Sequence, residues 1–112
     1  MKTTIEGVKK MSMYNPPHPG ETILEDCIKA VGWSITEAAK AMGISREMLS
    51  RICHGHAPVT PDVAVRLERV FSPSAETWLA LQQSYDLWQA RKKKITGIRK
   101  APRVALSASH PL

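Results

Sequence analysis

The segment Ser45-Arg46-Glu47-Met48-Leu49-Ser50-Arg51-Ile52-Cys53-His54 concentrates two arginines, a glutamate, two serines and a histidine within ten residues of a 112-residue chain. These side chains supply hydrogen-bond donors and acceptors suited to recognition. They do not pair a nucleophile with a base and an orienting group, no Gly-rich phosphate loop occurs, and ordinary solvation explains the scattered acids, so the chain is not expected to be an enzyme. His54-Gly55-His56, with Cys27 and Cys53, raises the question of a metal. Two His one residue apart across a helix end fit neither an i, i+4 pair nor a Cys-x-x-Cys site, and no second ligand pair follows. No metal and no cofactor is expected. Each cysteine stands among apolar residues at helical spacing, as reduced, buried, hydrophobe-like thiols do.

The elements that would position these residues are five short helices without strand-like alternation, so the fold class is all-α. Pro16, Pro17, Pro19 and Gly20 end an N-terminal arm. Ile23, Leu24, Cys27, Ile28 and Val31 then form an apolar stripe on a first helix that Gly32 closes. Ser34-Ile35-Thr36-Glu37 is a capping-box pattern opening a second helix, with Ala38, Ala39 and Met42 inward and Gly43 at its end. Ser45 caps a third helix over about 45–54, with Leu49 and Ile52 inward and Gly55 ending it. Thr60-Pro61-Asp62 opens a fourth, through Val63, Ala64, Leu67 and Val70 or Phe71. Ser72-Pro73-Ser74-Ala75-Glu76 opens the fifth and longest, to about Arg91, with Trp78, Leu81, Tyr85 and Trp88 on one side.

Two short capped helices joined by a Gly-containing turn, the second polar on its outward face, form the pattern of a helix-turn-helix. The major groove of DNA admits one helix, and residues near that helix's N-terminus meet base edges. Arg46, Glu47, Ser50 and Arg51 are expected to face the groove, where Arg pairs with guanine and Glu accepts from cytosine. Thr36, Lys40 and Ser45 are expected at phosphates, which position without reading sequence. His54 is expected beside a phosphate or the groove. Similar helix pairs also occur in bundles that bind nothing, and an exposed Arg-Glu pair is ordinarily a solvated face, so the pattern needs support from the rest of the chain.

That support comes from Asn15-Pro16-Pro17-His18-Pro19-Gly20-Glu21, Ser34-Ile35-Thr36-Glu37-Ala38-Ala39, Gly43-Ile44-Ser45-Arg46, Leu49-Ser50-Arg51-Ile52, Val59-Thr60-Pro61-Asp62, Arg66-Leu67-Glu68 and the string from Trp78 to Trp88. In this order and spacing they resemble the HigA/VapI-type addiction-module antitoxins of the Xre (lambda-repressor-like) helix-turn-helix family. The resemblance covers roughly residues 14–91. It implies a five-helix DNA-binding domain that acts as a homodimer, represses its own operon at an operator palindrome and neutralises a HigB toxin, a RelE-like mRNA endonuclease. Glu47 stands where the family often has Gln or a neutral polar residue, and His54 where many members have Asn. Residues 1–13, read as a flexible N-terminal arm, and 92–112, read as a basic flexible tail, lie outside the pattern.

The formal charge is +6, from 16 Lys and Arg against 10 Asp and Glu. Such a balance suggests polyanionic partners. Yet residues 16–90 carry six bases against nine acids, while 91–112 carry seven bases and no acid. The run Arg91-Lys92-Lys93-Lys94 reads either as cations favourable at a helix C-terminus or as a contact for DNA or toxin. Met11, Met13 and Tyr14 read as a toxin-facing arm or a plain leader. A small domain does not easily enclose every large side chain of a long fifth helix, so Tyr85, Leu87 and Trp88 are expected in a two-fold dimer contact. No apolar run suits a membrane span and no signal sequence is evident, which suggests a cytoplasmic protein. Two alternatives stay open: a solitary repressor without a toxin, and a helical protein-interaction module.

Overall fold

In a computed structural model the structure describes residues 15–102, which form five helices and no strand. The first begins as α1 (Pro19–Thr22) and continues directly as a π-wound stretch (Ile23–Ile28). It is followed by α2 (Ile35–Met42), α3 (Arg46–Cys53), α4 (Pro61–Val70) and α5 (Ala75–Lys92). Residues 93–102 continue without helix and are exposed. Among the described residues no helix is long and apolar enough to cross a membrane. The expectations for residues 1–13, and for the tail beyond 102, lie outside the described residues.

Most helix starts are those the side chains dictate. The Ser34 hydroxyl accepts the Glu37 amide at 3.1 Å and the Glu37 carboxylate accepts the Ser34 amide at 2.8 Å, closing the capping box. Ser45, Thr60 and Ser74 cap α3, α4 and α5 through their hydroxyls, and Pro61 occupies the first turn of α4. The first helix differs from expectation at both ends. It opens at Pro19 rather than after Gly20, because His18 Nδ1 accepts the Gly20 amide at 2.9 Å and serves as its N-cap. At the other end the Lys29 amide reaches back five residues to Leu24 at 2.9 Å, and the helix finishes at Ile28. Val31 therefore falls in the closing turn and is 53% exposed, whereas Ile23, Cys27 and Ile28 are buried.

The core has Trp78, Ile23, Ile28, Leu49, Ile52 and Leu67 fully enclosed at its centre. Ala38, Ala39 and Ala64 allow the backbones of α2 and α4 to approach it closely. Helix α2 packs on α3 and α4, α1 on α3 and α5, and α4 on α5. The approach of α1 to α3 is so close that a Cβ on Gly20 would overlap the Ile52 carbonyl oxygen. The loop after α3 also joins the core, through buried Ala57 and Val59. Its Val59 amide donates to the buried Gln82 Oε1 of α5 at 2.7 Å, and Gln82 Nε2 donates to Asp86 Oδ1 at 3.0 Å. The loop is thus fixed by α5, 23 positions further along the chain.

Candidate nucleic-acid interface

The turn between α2 and α3 is set by backbone geometry and by one distant side chain. Gly43 has φ of 73°, a left-handed conformation that a side chain would strain. This lets its amide reach Lys40 O at 3.2 Å while the Ile44 amide reaches Ala39 O at 3.1 Å, the paired bonds of a Schellman motif. Two further carbonyls at this helix end are met from α4. Arg66 Nη1 donates to Met42 O at 2.8 Å and to Gly43 O at 3.2 Å, while its Nε donates to Asp62 at 2.9 Å. A cation at the negative end of α2 also suits the helix dipole.

Helix α3 buries Leu49, Ile52 and Cys53 against the core. At about 100° per residue this turns Glu47, Arg51 and His54 outward, with Ser50 and Met48 on the flanks. Glu47, Arg51 and His54 are exposed and Ser50 is half-buried. Several of these side chains are already held in place. Arg46 Nε donates to Thr36 Oγ1 at 3.1 Å, so the first residue of α3 is tied to the first turn of α2. Arg51 Nη2 donates to His56 O at 3.1 Å. His54 Nδ1 lies 2.8 Å from Ser50 O, and because a carbonyl only accepts, that nitrogen carries the proton.

Thr36 and Arg46 are brought together, and Glu47, Ser50 and Arg51 share the face of α3. Lys40 is exposed in the last turn of α2. Ser45 Oγ accepts the Met48 amide at 3.0 Å, which orients its hydroxyl as a cap. His54 opens onto a cleft lined also by Glu21 and Glu25, an acidic setting at the far end of α3. Among the described residues no group of His, Cys, Asp and Glu is arranged to hold a metal ion. Burial pushes the Cys53 thiol up to about 11, and burial with the Asp26 charge raises Cys27. Both thiols therefore stay protonated at neutral pH and act as apolar groups.

The expected dimer residues lie in three settings on α5. Tyr85 is half-buried, its ring edge-on to His18 with centroids 5.0 Å apart. Leu87 is 41% exposed and lies nine residues from Trp78, hence on the opposite side of the helix. Trp88 is half-buried, and its Nε1 is enclosed with no acceptor among the described residues. Sequence reasoning missed two residues of the site. Arg66 reaches across 24 positions to α2, a separation that no local pattern reveals. Met48 carried a signal, since it is the apolar residue of α3 that does not fit the Leu49 and Ile52 stripe.

Residues 24–79 match the family model described as Helix-turn-helix. The chain is 42% identical over 88 residues to Virulence-associated protein A' of Dichelobacter nodosus, covering 78% of this chain and 76% of that protein. It is 30% identical over 78 residues to Antitoxin HigA-1 of Vibrio cholerae, covering 70% and 73% of the two chains. Among solved structures, the Pseudomonas aeruginosa antitoxin HigA with the higBA promoter superposes with a TM-score of 0.66 at 31% identity, covering 69% of this chain and 84% of that one.

Proposed function

Because this chain belongs to the Xre-type helix-turn-helix family, among its HigA/VapI-type antitoxins, we propose that it is a non-catalytic DNA-binding antitoxin that represses its own operon from the cytoplasm. The observation that carries this reading is α3 itself: an outward face of exposed Glu47 and Arg51 with half-buried Ser50 beside them, on a helix whose neighbours α2 and α4 are bonded to one another. The likeness to an antitoxin solved with its promoter supports double-stranded operator DNA as the ligand. Arg46 and Arg51 pair with base edges or the phosphates beside them, Glu47 and Ser50 complete the reading surface, and Thr36, Lys40, Ser45 and His54 position the module. Two copies related by a two-fold axis set their α3 helices about 34–36 Å apart, one turn of an inverted repeat. Leu87 and Trp88, with Tyr85 behind them, supply that contact. The protein partner is a HigB-like toxin.

Alanine at Arg46 or Arg51 is expected to cost about 1–3 kcal/mol of operator binding where the side chain pairs with guanine, and to relax preference at that base. A mobility-shift series in which both variants kept wild-type affinity and preference would exclude the assignment. Co-expression with the small reading frame beside the gene tests the other half. A stable complex is expected; a neighbour that is absent or does not co-purify leaves a solitary repressor. Capture of a partner without protection of any upstream DNA leaves an interaction module.

A further inference from the structure

Met48 is the large apolar side chain of α3 that the core leaves out. Leu49, Ile52 and Cys53 turn inward, whereas Met48 is 42% exposed on the flank next to Glu47 and Arg51. It borders a cleft of about 330 Å³ between α3 and the following loop, with Ile44, Pro58 and Val63 on its apolar side and Arg51, Thr60 and Asp62 on its polar side. An apolar strip of Met48 and Ile44 thus adjoins the face assigned to the major groove. There, the four base pairs present donors and acceptors, and the thymine 5-methyl is the apolar group. A Met thioether, unbranched and flexible, adapts to such a group.

We propose that Met48 is a specificity residue that reads the 5-methyl of a thymine next to the base pair approached by Arg51. This rests on the DNA-binding reading above and adds to it a preference that hydrogen bonds alone do not give. Replacing thymine by deoxyuridine removes only that methyl, so the test is made on a duplex selected by the wild-type chain from random sequence, with each thymine replaced singly. One substitution per half-site is expected to weaken wild-type binding by about fourfold, the scale of one methyl group taken from water. Met48→Ala should weaken the thymine duplex similarly and no longer distinguish thymine from uracil there, while Met48→Leu should retain the distinction. Thermal melts matching wild type establish that both variants are folded.

A wild-type chain indifferent to every replacement, or a Met48→Ala variant that discriminates as wild type does, overturns the proposal. So does a Met48→Ala variant that loses capture of a protein partner while its DNA affinity is unchanged. A wild-type chain that selects no duplex at all fails the DNA-binding reading itself, and is recognised without any variant.

Discussion

His18 joins three parts of the domain through one ring. Its Nδ1 caps the first helix, its ring edge meets Tyr85 of α5, and the backbone at Ala57, in the loop after α3, favours its protonated form. Capping requires the Nδ1 lone pair, hence the neutral ring. Burial lowers its pKa below the ordinary value of 6.5, against the opposing pull of the Ala57 backbone and the Asp86 charge. As pH falls, the unfolded chain takes up this proton first, so His18 contributes stability that is present above 6.5 and is lost as pH falls through the lower folded value. Thermal melts from pH 8 to 5.5 should show Tm falling over that window. His18→Asn, which keeps an N-cap acceptor without a titrating ring, should flatten the fall; an unchanged slope would contradict the role. None of this is legible in the sequence, because His is not a usual cap and its other partners lie far along the chain. Ser34 with Glu37 is legible, since both members of that bond pair sit within four residues.

At the scale of elements, the end of α2 and the turn that follows it are held to α4 by Arg66. Arg66→Ala removes the bonds to Met42 O and Gly43 O and should cost about 1–3 kcal/mol, the usual range for charge-assisted bonds. For a domain of this size that is a fall in Tm of about 5–20 °C, measured by circular dichroism. An unchanged Tm would mean that the turn needs no support from α4. The helices α2, α3, α4 and α5 are legible because Ser, Thr, Pro and Gly mark their ends by local chemistry. The π-wound end of the first helix is not, since its winding changes the angle per residue without any punctuating residue. The burial of Ala57 and Val59 is equally hidden, because Gln82 fixes their loop from 23 positions away. The reading face of α3 is legible from its cap and its apolar period, but the bonds that hold Arg46 and Arg51 depend on tertiary placement.

For the whole molecule, charge and recognition are separated along the chain. Six bases against nine acids in residues 16–90 leave the helical domain net negative, while seven bases and no acid lie in residues 91–112. Residues 93–102, which hold four of those seven, are exposed. Truncation after Arg91 should therefore make operator binding less salt-dependent, the slope of log K against log salt shrinking by about 0.9 for each phosphate that the tail neutralises. An unchanged slope would make the tail a solvated end. The central claim concerns two α3 helices entering one operator, and a footprint of the full chain on the DNA upstream of its own gene tests it most directly. Protection of an inverted repeat is expected, its half-sites about one helical turn apart, abolished or weakened by Arg51→Ala. No protected site, or protection that Arg51→Ala leaves intact, would contradict it.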